Sequence, residues 1–267
     1  MKIIKDTLTY HQNQKTNVLY FIPGEDVTMV PTIALFGHGY TSDKSSIFNW
    51  PVRLAEVGIP CGLLDWPGHY LGNYSEVLDF NHFKNHAHEL YSDLFLGLKK
   101  QIVNELPLNE FMLGPDQLKV VLAGHSMGAM LALKAISLDT FKNYEKAVIG
   151  VGIGKAPVDI VHLFETPFYK STLKVREQLV SPELKPDHVF PWIKDEKEDM
   201  AITKERIHLI SGEDDLVVGN DGLERFAKML EEKGNSVTIE KPSKLPHHEP
   251  QLAASHIKKQ LKKMNWF

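Results

Sequence analysis

The chain predicts an α/β fold, with a mostly parallel central sheet of about eight strands and helices on both faces. Two observations carry this. Short, continuous apolar runs recur along the chain: "TIALFGH" (32–38), "IPCGLLD" (59–65), "LKVVLAG" (118–124), "AVIGVGI" (147–153), "RIHLIS" (206–211) and "SVTIE" (236–240). Runs of this length without alternation are strands buried on both faces, as in a parallel sheet. Between them lie longer segments of helical period, and strand–helix–strand order makes adjacent strands parallel.

Two more polar runs, near Ile3–Tyr10 and Asn17–Ile22, read as an antiparallel opening pair. A helix is predicted over 86–103, where Leu90, Leu94, Leu98 and Ile102 recur every fourth residue as one apolar stripe. In "NDGLERFAKMLEEKG", Leu223, Phe226, Ala227 and Leu230 form a second stripe, with Asn220 or Asp221 placed to cap its start and Gly234 to end it. A last helix opens at Pro250, which suits a first helical turn. Residues 155–203 carry five prolines and no clean period. That is too long for a plain connection, so an irregular, cap-like excursion over the carboxyl edge of the sheet is expected there. The whole of 1–267 is read as one domain.

The totals narrow the function. A charged fraction of 24% and a net charge of −4 contain no basic block for nucleic acid and no acidic tail. No stretch reaches the roughly 18 apolar residues of a membrane span, and the start has no apolar core of signal-peptide length. Cys61 is the sole cysteine. Together these lead us to expect a cytoplasmic protein without disulfides that uses neither membrane nor nucleic acid as partner; oligomeric state stays open.

Chemistry is concentrated at "GHSMG" (124–128). A chain of this length holds a G-x-S-x-G by accident roughly one time in ten, so context decides. Here the serine stands where a buried strand meets a buried helix. Such a turn needs small neighbours, supplied by Gly124 and Gly128, and it projects the Ser126 hydroxyl at the positive end of a helix. A hydroxyl is a poor nucleophile until a base takes its proton. Loops after later strands offer both helpers: Glu213, Asp214 and Asp215 in "GEDD", then His247 and His248 in "HHEP".

With these loops and two stretches nearer the start, "FGHGYTSDK" and "LLDWPGHYLGN", the chain resembles the α/β-hydrolase family over nearly its whole length. "FGHGYTSDK" (36–44) resembles the family's His-Gly loop and "LLDWPGHYLGN" (63–73) its Asp-x-x-Gly-His stretch. "GHSMG" resembles the nucleophile elbow, and "GEDD" with "HHEP" the acid and base loops. It is most similar to small esterases of the dienelactone-hydrolase and prolyl-oligopeptidase-like branch. The resemblance implies Ser126 as nucleophile, Asp215 as acid with Asp214 as fallback, and His248 as base with His247 as rival. It also implies the backbone N–H groups of Tyr40 and Met127 as oxyanion donors, with no cofactor and no metal. His38, Asp65 and His69 are expected to brace the neighbouring loops.

The implied function is hydrolysis of a small or medium carboxylic ester through an acyl-enzyme. A peptidase, thioesterase or amidase would use the same triad, and a non-enzymatic small-ligand binder could share the fold. His82, His86 and His88 in "DFNHFKNHAHE" tempt as metal ligands, but the segment lacks an H-E-x-x-H pattern and reads as a solvated helix start.

Overall fold

A computed structural model of the chain describes residues 1–10, 14–105, 114–155 and 167–267. Eight strands form one sheet: β1 (Lys2–Tyr10), β2 (Gln14–Ile22), β3 (Thr32–Gly37), β4 (Cys61–Leu64), β5 (Lys119–His125), β6 (Glu145–Val151), β7 (Arg206–Ile210) and β8 (Ser236–Glu240). Their order across the sheet is β1-β2-β4-β3-β5-β6-β7-β8. The β1–β2 and β2–β4 pairs are antiparallel, and every later pair is parallel. The antiparallel opening pair is as the two polar runs predict, and the mostly parallel sheet is as the apolar runs predict.

The continuous apolar character of the central strands follows from burial on both faces. Ile33 and Leu35 of β3, with Val120 and Leu122 of β5, face one core. Ala34 and Phe36, with Val121 and Ala123, face the other. Against the first core pack α3 (Leu90–Glu105), α4 (Met127–Ala135) and α7 (Gly222–Glu232), through Leu94, Leu98, Met130 and Phe226. Against the second pack α1 (Asn49–Ala55) and α8 (Ala254–Lys263), through Trp50, Leu54, Ile257 and Leu261. Burial of large aliphatic and aromatic side chains at these positions contributes roughly 1.5–3 kcal/mol each.

Three helix starts differ from the sequence expectation; at the last, Pro250 opens a 3-10 turn over Pro250–Ala253 and α8 itself begins at Ala254. The segment read as one helix over 86–103 is broken. A short α2 (Phe80–His86) is capped by Asp79, which accepts from the N–H groups of Asn81 and His82. His86 leaves helical geometry at ψ −11°, a 3-10 turn spans 87–89, and α3 begins at Leu90. Asp221 stands at the start of α7 without capping it, because its carboxylate pairs with Arg225 one turn on. Gly234, at φ +85°, ends that helix as expected.

Of the proline-rich segment 155–203, residues 156–166 lie outside the described residues. The rest holds two helices, α5 (Pro167–Gln178) and α6 (Pro186–Glu198), each opened by a proline whose missing N–H costs nothing at that position. Val189 and Trp192 of α6 join the first core, and Glu196 takes hydrogen bonds from Trp192 Nε1 and from Lys134 on α4.

The strand order fixes where a ligand can bind. The chain runs outward from β3 to β4 in one direction and from β5 to β8 in the other. The loops leaving the carboxyl ends of β3 and β5 therefore diverge, and a crevice opens between them.

Candidate active site

Ser126 occupies the joint between β5 and α4 with φ +51° and ψ −112°, a conformation L-residues rarely adopt. Its N–H donates to Val151 O at 2.9 Å, and its carbonyl accepts the first helical bond from Met130 N–H at 3.1 Å. The glycines on either side are required by close approach. A Cβ on Gly124 would run into the Gly128 backbone, and one on Gly128 would run into the carbonyls of Gly37 and His38. The turn is thus clamped between the ends of β3 and β6, with Ser126 facing the crevice.

Asp215 lies on the loop after β7 and is almost completely buried. Its carboxylate accepts four hydrogen bonds: from the N–H groups of Val217 and Val218 at 3.0 Å each, from the Ser211 hydroxyl at 3.1 Å, and from His247 Nδ1 at 3.0 Å. Burial alone would raise its pKa. The bond to His247 and that side chain's charge, with the Val218 and Ser211 donors, outweigh burial and hold it below the ordinary carboxylate value.

The histidine on Asp215 is His247, not the His248 that the sequence resemblance favours. The reason lies in the loop. Leu245 N–H donates to Asp214 Oδ1 at 2.8 Å, which anchors the loop one residue before Pro246. A turn then closes from Glu249 N–H to Pro246 O at 3.0 Å. The two residues inside that turn diverge. His247 points inward onto Asp215, with only 10% of its side chain exposed. The His248 ring stands perpendicular to it on the exposed rim, 5.6 Å between centroids. Asp214, the fallback acid, is the loop clamp.

His125 fills the space behind His247, with ring centroids 4.8 Å apart. Burial, and then the neighbouring His247 charge, push the His125 pKa well down, so it stays neutral beside its partner.

The loop after β3 is pinned from below. His38 is fully buried; its Nε2 accepts from Trp66 N–H at 3.0 Å, which leaves the proton on Nδ1 to donate to Gly39 O at 2.8 Å. Trp66 Nε1–H donates to His38 O at 2.8 Å. Asp65 accepts from both the backbone and the ammonium of Lys44, tying the loops after β3 and β4 together. His69 packs edge-on to His38 and Tyr40 and faces Pro67 O through Nδ1 at 3.1 Å. The Tyr40 and Met127 amides have no backbone acceptor among the described residues.

Gly39, Tyr40, Ser126, His247 and His248 line one cavity of about 1090 Å³. Its far wall is built by α5 and α6, and the Tyr40 hydroxyl ties that wall to the β3 loop through Leu184 O at 2.6 Å. Three polar residues here escape sequence reasoning. Arg176 of α5 donates to the Thr41 hydroxyl at 2.7 Å. Thr41 itself has φ +57° and donates to Tyr40 O at 2.7 Å. Lys197 of α6 donates to Gly154 O at 2.7 Å, and burial pushes its pKa down to about 8. Thr41 lies within the His-Gly stretch 36–44, which assigns it no role, and Arg176 and Lys197 stand in no motif, so no sequence signal marks them. His82 and His86 stack at 4.6 Å, with His86 Nδ1 3.0 Å from Glu89, and neither lines this cavity.

Taken with the sheet, a nucleophile-type elbow at its centre and an Asp–His pair beside it define the class of fold. The model of the alpha/beta hydrolase family matches residues 34–254, and the chain belongs to that family. Solved structures share the fold. A serine hydrolase without lid from Xanthomonas campestris is 13% identical, covering 97% of this chain and 94% of its own, with a TM-score of 0.56. A monoglyceride lipase from Saccharomyces cerevisiae is 14% identical over 97% and 94%, with a TM-score of 0.63. A carboxyl esterase from Bacillus coagulans is 14% identical over 99% and 98%, with a TM-score of 0.62. No protein of curated function matches the chain in sequence.

Proposed function

We propose that the protein is a serine hydrolase that cleaves a small or medium carboxylic ester through an acyl-enzyme. The observation that carries this reading is the convergence of Ser126, on its strained turn, and the Asp215–His247 pair on a single cavity. In this reading His247, rather than His248, is the base. The Asp215 bond to Nδ1 fixes the tautomer with Nε2 free to accept a proton. Ser126 Oγ attacks the ester carbonyl as His247 takes its proton, and the C–O bond to the alcohol breaks as His247 returns that proton to the leaving oxygen. Water then attacks the acyl-enzyme with the same histidine as base, releasing the acid and restoring the serine. The N–H groups of Tyr40 and Met127 are the proposed oxyanion donors, one on each side of the crevice.

The test is active-site labelling with a fluorophosphonate, followed by a panel of p-nitrophenyl esters, acyl thioesters and aminoacyl amides. Labelling of Ser126 with turnover fastest on esters supports the reading. Labelling with turnover fastest on thioesters or amides moves the activity to those bonds. A folded protein that is neither labelled nor active, yet binds a small ligand, would be a non-enzymatic relative.

A further inference from the structure

The wall of the cavity opposite Ser126 is charged in an uneven way. Lys170, Arg176, Lys194 and Lys197 line it, against Asp187 and Asp195. Lys197 is spent on Gly154 O, and Arg176 is held in place with donors to spare. Its guanidinium lies 4.7 Å over the ring of Tyr169, which is itself buried. Nη1 donates to the Thr41 hydroxyl at 2.7 Å and Nε to the Thr172 hydroxyl at 3.3 Å. Among the described residues its partners are therefore all neutral, and Arg176 makes no ion pair with any of them. Two of its five N–H donors are used, and Nη2 has no hydrogen-bond partner among the described residues. A guanidinium stacked on an aromatic ring, tethered by two hydroxyls and facing a cavity is preorganised for a bidentate anion, most naturally a carboxylate.

Its place in the site adds to this. Thr41 follows Tyr40 in the chain and bonds its carbonyl, so the guanidinium stands one residue from the proposed oxyanion donor. The Arg176 charge also reaches His248 on the rim.

We infer that Arg176 is a specificity-determining residue that binds a carboxylate carried by the substrate on a short chain beside the scissile ester. This rests on the serine-hydrolase reading and narrows it to anionic esters. The carboxylate could belong to the acyl part, as in a hemiester of a short dicarboxylic acid, or to the alcohol part, as in an acylated hydroxy acid. The recognition chemistry is the same in both.

The experiment measures kcat and KM for wild type, Arg176→Lys and Arg176→Met on matched pairs. Mono-p-nitrophenyl glutarate against p-nitrophenyl butyrate reports the acyl side, and O-acetylglycolate against ethyl acetate the alcohol side. The wild type is expected to favour the anionic member of one pair at least tenfold in kcat/KM. Arg176→Met is expected to cut that ratio tenfold or more, mainly through KM, with Arg176→Lys recovering part of it. Free glutarate should inhibit the wild type competitively and lose tenfold or more in affinity with Arg176→Met. If Arg176 only braces Thr41, both members of each pair fall together and the ratio stays constant, which overturns the inference. A wild type that disfavours anionic esters overturns it too. Failure of the underlying reading looks different: no ester is cleaved and Ser126 is not labelled, whatever the charge offered.

Discussion

His247 Nδ1 lies 3.0 Å from Asp215 Oδ2, while its neighbour His248 stands perpendicular to it on the rim. One residue of register in the "HHEP" loop therefore decides which imidazole meets Asp215 and so, in the proposed mechanism, which is the base. Substituting His247 by alanine should lower kcat about 10³–10⁶-fold, as removal of a triad base does, with the residual rate left to the oxyanion donors. Substituting His248 by alanine should change kcat/KM by less than about tenfold. Fluorophosphonate labelling rates of the two variants give the same comparison without a substrate. Rates that fall with His248→Ala and persist with His247→Ala would return the base to His248.

Asp215 presents an acceptor oxygen to His247, and that oxygen sets the tautomer. Asp215→Asn keeps the size but places an N–H toward Nδ1, which moves the imidazole proton to Nε2, where it blocks acceptance from Ser126. A fall in kcat of about 10⁴ is expected, with a near-normal melting temperature because an amide oxygen can still serve Val217 and Val218. Since its hydrogen bonds keep the Asp215 pKa below the ordinary value, this carboxylate should stay ionised down the acid limb of the rate profile and not set it. A rate profile of Asp215→Asn identical to wild type would remove Asp215 from the mechanism.

The sheet and the elbow were legible in the sequence because their causes are local. Ile33 through Phe36 and Val120 through Ala123 are apolar without interruption because both faces are buried. Gly124 and Gly128 are glycine because backbone occupies the place of a Cβ. Helix α5 was illegible for the opposite reason. The face carrying Tyr169, Thr172 and Arg176 lines a cavity and makes polar contacts, so no apolar stripe marks its period. The choice between His247 and His248 was equally hidden, because it depends on a turn fixed by Asp214, a residue distant in sequence.

Below neutral pH the protein should lose stability through buried neutral histidines. Burial pushes the pKa of His38 down to about 4 and that of His69 to about 3. Both values lie below that of an unfolded histidine, so the unfolded chain binds the extra protons first as pH falls. Stability present above about pH 6.5 is then lost progressively toward the folded values, by roughly 2 kcal/mol per group at about pH 5. Urea unfolding at about pH 7.5 and pH 5 tests this. His69→Phe, which keeps a ring against His38 and Tyr40, should shrink the difference by about 2 kcal/mol. An undiminished difference in that variant would mean other groups carry the acid sensitivity.

The conformation of Ser126 should be visible in stability as well as in rate. At φ +51° and ψ −112° a side chain is strained by roughly 1–3 kcal/mol, and glycine is not. At an ordinary position glycine is less stable than alanine by about 0.5–1 kcal/mol, because the unfolded chain gains freedom. Here the order should reverse. Ser126→Ala keeps the Cβ and the strain, whereas Ser126→Gly releases it, so the glycine variant should unfold at higher urea by the equivalent of about 1 kcal/mol. Both variants lack the hydroxyl and should lose activity and labelling alike. Their stability difference thus isolates the backbone from the chemistry. The packing of Gly128 against the carbonyls of Gly37 and His38 holds the turn in place and keeps the oxygen of Ser126 aimed into the cavity. An alanine variant more stable than the glycine one would show that the turn is relaxed, and that the serine is placed by packing alone.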